Sequence, residues 1–199
     1  MGGACRPGER RREMNRAVFL DRDGVINRAV VRDGRPYPPP SVDDVEILPG
    51  VAESIRTLHG RGFKVIVVTN QPDVATGAQR REAVEAIHNR LRRCLLLDDI
   101  KVCYHTDADR CACRKPKPGM LLEAANDWSI VLKRSFLVGD RWRDIEAGKA
   151  VGCRTFYVDY GYKEKRPENP DVTVKSLEEA ARLIVAQCQS EEVDDDRPS

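Results

Sequence analysis

Long apolar runs are missing from this sequence. No stretch approaches the roughly 20 residues that a membrane-spanning helix needs, so no membrane association is expected. The start is Arg-rich, but no apolar segment of signal-peptide length follows it, and a cytoplasmic location is expected. The opening Met1-Gly-Gly-Ala-Cys5 hints at lipidation, but Arg6 stands where a myristoylation signal has Ser or Thr, so lipidation is not expected. Net charge is also nearly absent. The 34 Lys and Arg residues against 32 Asp and Glu leave +2, which gives no whole-protein attraction for nucleic acid. Aromatics are scarce at 6%, and they do not alternate with basic residues as a base-stacking surface would. No internal repeat is present. Cysteine is not scarce: there are seven, an odd count. Without a secretory signal they read as reduced thiols or metal ligands rather than a disulfide framework.

The charge that is present is unevenly placed. Arg6, Arg10, Arg11, Arg12 and Arg16 crowd the start, and Glu191, Glu192, Asp194, Asp195 and Asp196 crowd the end. Neither end has apolar periodicity. We expect a flexible basic tail over 1–15, one domain over 16–187 and a flexible acidic tail over 188–199.

Within the domain, short apolar runs alternate with helical patterns. Ala17–Leu20, Lys64–Thr69, Ser135–Val138 and Arg154–Asp159 read as buried strands, with Ile100–Tyr104 a weaker fifth. Helical spacing links Val51, Ile55 and Leu58. It links Ala83, Ile87 and Leu91 after Gly77, then Leu121, Leu122 and Ala125 after Pro118-Gly119. It recurs over Ile145–Val151 and at Leu177, Ala181 and Ile184. Continuously apolar strands alternating with helices imply an α/β fold: a doubly wound, Rossmann-like parallel sheet covered on both faces. Such sheets bind ligands at the carboxyl ends of their strands. Asp21 and Asp23, Thr69 and Asn70, and Asp140 and Asp144 all fall there. The Pro-rich segment 35–40 is too short for a cap domain and is expected to lie near the site.

The chemistry sits in four segments. Asp21-Arg-Asp-Gly24 offers two carboxylates suited to different roles: one ionised beside a cation as a nucleophile, the other able to carry a proton. Gly24 permits a sharp turn beside a phosphate. Thr69-Asn70 adds a hydroxyl and an amide. Lys115, in Arg114-Lys-Pro-Lys-Pro-Gly119, precedes a helix start, where phosphates bind readily. Gly139-Asp-Arg-Trp-Arg-Asp144 adds two acids four residues apart. Taken singly, each reads as an ordinary polar loop.

Taken in order, these segments resemble the haloacid dehalogenase superfamily of aspartate-nucleophile phosphatases. Phe19–Asn27, Val67–Gln71 and Cys113–Leu122 look like its capless branch. The resemblance implies that Asp21 attacks phosphorus and that Asp23 serves as general acid, then general base. It implies Mg²⁺ on Asp21, Asp140 and the main-chain carbonyl of Asp23. It places Thr69 and Lys115 on the phosphoryl oxygens and Asn27, Asn70, Gln71 and Arg114 in contact with substrate. Asp144 is expected to orient Lys115 or a metal-bound water. The implied substrate is a sugar phosphate, D-glycero-D-manno-heptose 1,7-bisphosphate losing its 7-phosphate, with histidinol phosphate as the alternative. DNA 3′-phosphate ends and a non-catalytic binding role are the readings from other classes. A monomer is expected. One departure bears on the substrate: Thr76 lies in Pro72-Asp-Val-Ala-Thr-Gly77, where the heptose enzymes carry an arginine.

Cys103-Tyr-His105 and Cys111-Ala-Cys113 bring three thiols and an imidazole within a dozen residues. This is the ligand set of a structural zinc site, although one-residue spacings are tighter than the common C-x-x-C, and three unrelated loop thiols are the alternative. The family resemblance favours Zn²⁺, bound next to Arg114 and Lys115. His59 and His88 are expected at the surface, and Cys94 and Cys153 in the core.

Overall fold

A computed structural model describes residues 14–195. In chain order the elements are β1 (Arg16–Leu20), β2 (Val30–Arg32), β3 (Arg35–Tyr37), α1 (Val51–Gly60), β4 (Phe63–Asn70), α2 (Arg81–Cys94) and β5 (Asp99–Cys103). They continue with α3 (Gly119–Trp128), β6 (Phe136–Gly139), α4 (Trp142–Ala150), β7 (Arg154–Val158), β8 (Val172–Val174) and α5 (Leu177–Asp195). No helix among the described residues is long and apolar enough to cross a membrane.

Six strands form one sheet in the order β5-β4-β1-β6-β7-β8, and every neighbouring pair is parallel. β1 is central because its side chains are apolar on both faces. Val18 and Leu20 join one core with α1, α2 and α5, while Ala17 and Phe19 join the other with α3 and α4. This is the period-two alternation of a strand buried on both sides. In the first core Phe63, Phe136 and Phe156 pack edge to face, with centroids 5.6 and 6.0 Å apart. Such pairs add about 0.5–1.5 kcal/mol each beyond their buried area.

The chain leaves β1 toward β4 and β5 on one side, then crosses to β6, β7 and β8 on the other. The crevice at this reversal opens beside the carboxyl end of β1, where an open α/β sheet binds its ligand. β2 and β3 form a separate antiparallel hairpin that sequence patterning reads as loop. Its turn residues Asp33 and Gly34 both have positive φ, 52° and 80°, as expected of an Asp-Gly hairpin turn. β8 is a further strand that the apolar pattern does not reveal.

The C-terminal boundary needs correction. α5 continues past Gln187 to Asp195, and Cys188 is buried. Ala181, Ile184 and Cys188 lie on one helical face, so the apolar stripe outlasts the expected end. At the start, Asn15 already bridges to Ile130, and its N–H donates to Ser129 O at 2.9 Å. The remainder of the expected basic tail, residues 1–13, lies outside the described residues, as do residues 196–199 of the acidic one.

Candidate active site

Asp21 extends the ladder of β1 by one residue, its N–H donating to Val138 O at 3.0 Å. β4 delivers Thr69 and Asn70, and Asp140 follows directly on β6. Asp144 sits in the first turn of α4 and has two duties. Its Oδ2 accepts the Arg141 N–H at 3.1 Å, which closes the helix start, and its Oδ1 lies 2.5 Å from Lys115 Nζ. Lys115 also donates to Asp21 Oδ1 at 2.8 Å and to Val68 O at 2.6 Å. Its backbone is clamped by Asn70, whose amide donates to Lys115 O at 3.0 Å and accepts from Lys115 N at 3.1 Å. Burial would lower the Lys115 pKa, but the charges of Asp144 and Asp21 outweigh it and raise it, so the ammonium is retained.

Asp140 is fully buried, and among the described residues no donor meets hydrogen-bond geometry at either carboxylate oxygen; the Tyr162 hydroxyl is a close neighbour, its pKa raised by burial and by the Asp140 charge. A buried carboxylate without donors is costly unless a cation compensates it. Burial, then the charges of Asp21 and Asp144, pushes its pKa well above the usual range. Burial likewise raises Asp21 to about 6 against the pull of Lys115. One oxygen each from Asp21, Asp140 and Asp144 lies within 4.8 Å of the others. Three acids against one lysine leave a charge deficit of two, which suits a divalent cation, and a hard oxygen donor set suits Mg²⁺. Both Asp144 oxygens are engaged, by Lys115 and a backbone N–H, whereas Lys115 takes only Oδ1 of Asp21, so Asp21 and Asp140 are the carboxylates that could hold a cation. Two glycines make room for this centre. A Cβ on Gly24, which has φ +88°, would stand 2.0 Å from Asp140 Oδ2, and one on Gly139 would stand 2.2 Å from Asp144 Cβ.

Asp23 has a different environment. Arg22 grips its carboxylate in a fork, Nε to Oδ1 at 3.1 Å and Nη2 to Oδ2 at 2.8 Å. Asn27 donates to Oδ1 and Gln71 to Oδ2, each at 2.9 Å. Burial acts to raise the Asp23 pKa, but Arg22, Asn27 and Gln71 together hold it below the ordinary carboxylate value. The two acids of Asp21-Arg-Asp-Gly24 are thus driven in opposite directions: without a cation beside it Asp21 is the one raised, and Asp23 is the one held ionised.

A cleft of about 270 Å³ opens over Asp21, Asp23, Thr69, Asn70 and Lys115. Its walls include Arg35, Pro36 and Tyr37 from the hairpin and Arg141 and Arg143 from the start of α4. To one side, Cys103, His105, Cys111 and Cys113 place their donor atoms within 4.8 Å of one another. The sulfur atoms are 3.1–3.7 Å apart, and His105 Nδ1 is 3.6 and 3.3 Å from Cys103 and Cys113. Zinc–thiolate bonds of about 2.3 Å in a tetrahedron require sulfur separations of about 3.7 Å. The cluster fits Zn²⁺ with only small adjustment.

A family model described as HAD-hydrolase-like matches residues 112–180. A D-glycero-beta-D-manno-heptose-1,7-bisphosphate 7-phosphatase of Rhodopseudomonas palustris is 38% identical over 173 residues, covering 81% of this chain and 89% of that relative. The chain belongs to the haloacid dehalogenase superfamily. Among solved structures, the D,D-heptose 1,7-bisphosphate phosphatase of B. bronchiseptica, complexed with magnesium and phosphate, superposes with a TM-score of 0.71 at 29% identity, covering 86% of this chain and 99% of that one. A putative HAD-like phosphatase of Mesorhizobium loti gives 0.69 at 28% identity, covering 94% and 90%.

In this haloacid dehalogenase chain, Asp21, Asp23, Thr69, Asn70, Lys115 and Asp144 all reach the cleft. Asn27 and Gln71 are buried beneath it on Asp23, so they bear on substrate through that acid. Arg114 is a correction. It does not line the cleft: its Nε donates to Asp107 at 2.8 Å and its Nη1 to His105 O at 3.2 Å. Asp107 also accepts two 3.1 Å bonds from Arg143, which does line the cleft. Sequence reasoning missed Arg143 and Arg35. The Asp33-Gly34 turn was a usable signal for Arg35; nothing in the pattern marked Arg143. His88 is also a correction, being fully buried rather than at the surface, and His59 is half-buried with Nε2 2.7 Å from Leu96 O. Cys153 is buried as expected, but Cys94, the last residue of α2, is exposed.

Proposed function

We propose that this chain is a Mg²⁺-dependent phosphatase that removes the 7-phosphate of D-glycero-D-manno-heptose 1,7-bisphosphate through an aspartyl phosphate on Asp21. The observation that carries the reading is Asp21 at the cleft floor, bonded to Lys115 and facing the donorless Asp140. Mg²⁺ held by Asp21 and Asp140 would supply the positive charge that lets an anionic nucleophile approach an anionic phosphate. Asp21 attacks phosphorus, and the bond to the sugar oxygen breaks. That oxygen takes its proton from Asp23. Asp23 then removes a proton from water, which attacks the same phosphorus, releasing inorganic phosphate and restoring Asp21. Thr69 and Lys115 hold the phosphoryl oxygens. The proton on Asp23 is taken up as the anionic substrate arrives, since a neighbouring anion favours the protonated carboxyl. Gln71 Nε2 is shared between Asp23 Oδ2 at 2.9 Å and Thr69 Oγ1 at 3.0 Å, so it can give way when Oδ2 carries that proton.

Arg35, Arg141 and Arg143 on the cleft walls suit a second phosphate, and the names of the relatives favour the heptose over histidinol phosphate. Cys103, His105, Cys111 and Cys113 hold one structural Zn²⁺, which braces the backbone leading to Lys115. We place the enzyme in the cytoplasm, in keeping with the absence of a disulfide among the described cysteines, and as a monomer. The test is phosphate release from heptose bisphosphates, histidinol phosphate, hexose phosphates and a 3′-phosphorylated oligonucleotide. Preference for the heptose 1,7-bisphosphate supports the reading. Preference for histidinol phosphate or the oligonucleotide overturns the substrate, and phosphate release by Asp21→Asn overturns the nucleophile.

A further inference from the structure

Arg22 has no exposed side-chain surface although it carries a full charge. Two of its edges grip Asp23, and its Nη1 lies 3.0 Å from His88 Nε2. A guanidinium has no acceptor, so His88 Nε2 must be the acceptor and its proton must sit on Nδ1. That nitrogen faces Glu85 Oε2 at 3.7 Å, and Glu85 in turn is bonded by the Tyr104 hydroxyl. His88 therefore occupies one place in the buried stripe of α2, with Val84, Ile87 and Leu91, and is the member that carries a polar contact across to the β1 end. Burial, reinforced by the Arg22 charge, lowers its pKa to about 4, which keeps the Nε2 lone pair available at neutral pH.

We propose that His88 is a positioning residue for the general acid: by fixing Arg22, it holds the Asp23 carboxyl at the angle from which it protonates the leaving sugar oxygen. Without this acceptor, one buried N–H of Arg22 has no partner, and the guanidinium must rotate to find one. Rotation opens the fork on Asp23, whereas Asp21, Lys115 and Asp140 lie outside the network and keep their places. The proposal rests on Asp23 being the general acid.

The consequence is selective. A sugar alkoxide needs a proton to leave, and p-nitrophenolate does not. The experiment measures single-turnover release of the leaving group from a sugar phosphate and from p-nitrophenyl phosphate, by wild type, His88→Leu, His88→Gln and Asp23→Asn. His88→Leu should slow sugar release about tenfold to a hundredfold, part of the roughly 10²–10⁴ available to general acid catalysis. It should change nitrophenol release less than about threefold, a range within reach of small structural effects. His88→Gln, which keeps an acceptor for Arg22, should restore the sugar rate. Equal slowing of both substrates by His88→Leu, no slowing of either, or failure of His88→Gln to rescue would overturn the proposal. If His88→Leu does not fold, His88→Asn, too short to reach Arg22, takes its place in the same comparison. Asp23→Asn separates the underlying reading. If it slows both substrates alike, Asp23 is not the general acid and the role of His88 falls with it. If it is selective and His88→Leu is not, only the role of His88 fails.

Discussion

Asp140→Asn should stabilise the metal-free protein while abolishing its response to Mg²⁺. Most substitutions at buried charged positions destabilise, so the sign is diagnostic. Asp140 has no hydrogen-bond donor to lose, and it has Asp21 and Asp144 oxygens within 4.8 Å. At that distance, with an effective dielectric constant near 20, one like-charge pair costs about 3.5 kcal/mol. Uptake of a proton limits the penalty, because neutralising an ordinary aspartate at pH 7 costs about 4 kcal/mol. A gain of about 2–3 kcal/mol in EDTA is therefore expected, or a Tm higher by roughly 4–12 °C for a domain of this size. Saturating Mg²⁺ at a hundred times its Kd should stabilise wild type by about 2.7 kcal/mol and the variant hardly at all. pH adds a second check. The Asp21 pKa lies above its unfolded value, raised to about 6 from 3.8. Between those values Asp21 binds more protons in the native state than in the unfolded one, so its contribution to metal-free stability is full below pH 3.8 and is lost as pH rises through 6. The thermal shift caused by Mg²⁺ should accordingly be larger at pH 7.5 than at pH 5. Differential scanning fluorimetry and urea melts in EDTA or Mg²⁺ measure all of this. If Asp140→Asn were less stable than wild type in EDTA, or Mg²⁺ stabilised both equally, the charge account of the site would be wrong.

Four further predictions use the same geometry. Asp21→Asn should remain folded and lose turnover, because an amide does not attack phosphorus; any burst of alcohol from this variant in a rapid-quench experiment counts against the nucleophile. Arg143→Ala should raise KM for a heptose bisphosphate about tenfold to a hundredfold, the worth of one charged bidentate contact of about 1.5–3 kcal/mol, and affect a monophosphate less. Arg114→Ala should act more weakly in the same direction, since it meets the cleft only through Asp107; a larger effect for Arg114 in steady-state kinetics would return the direct contact to it. Cys113→Ser should lose zinc by elemental analysis and cost more than about 2 kcal/mol. It should also lower kcat, because Cys113 stands two residues before Lys115; full kcat at normal stability would separate the cluster from the site.

Much of the site was legible because strand ends are legible. A run such as Ala17–Leu20 is apolar at every position only if both faces are covered, and the first acid after it must then lie at the sheet edge. The same reasoning placed Thr69, Asn70 and Asp140; the structure puts Thr69 and Asn70 on the cleft wall and Asp140 buried with an oxygen within 4.8 Å of one from Asp21. The hairpin escaped because its strands have three residues each and mostly exposed side chains, so there was no apolar alternation to read. Arg114 and Arg143 could not be ranked from sequence. Both are arginines in polar segments next to motif residues, and the choice rests on Asp107, which bonds one on its way out of the cleft and the other on its way in.

His88 shows where periodicity misleads. A polar residue in a helical pattern reads as surface unless a partner for it is known, and the partner here is Arg22, 66 residues earlier. Burial of the Arg22 charge would be prohibitive alone; with Asp23 and His88 it forms a set in which the charge is matched and the neutral imidazole supplies the third contact. Asp140 and Asp144 pose the same problem in reverse. Both are buried acids four residues apart, and composition cannot tell them apart. The helix start does: Asp144 falls in the first turn of α4, where a backbone N–H and Lys115 claim its oxygens, whereas Asp140 lies before the helix and accepts no hydrogen bond of good geometry from the described residues. In the proposed function, that difference in hydrogen bonding leaves Asp140 to the cation and Asp144 to the lysine.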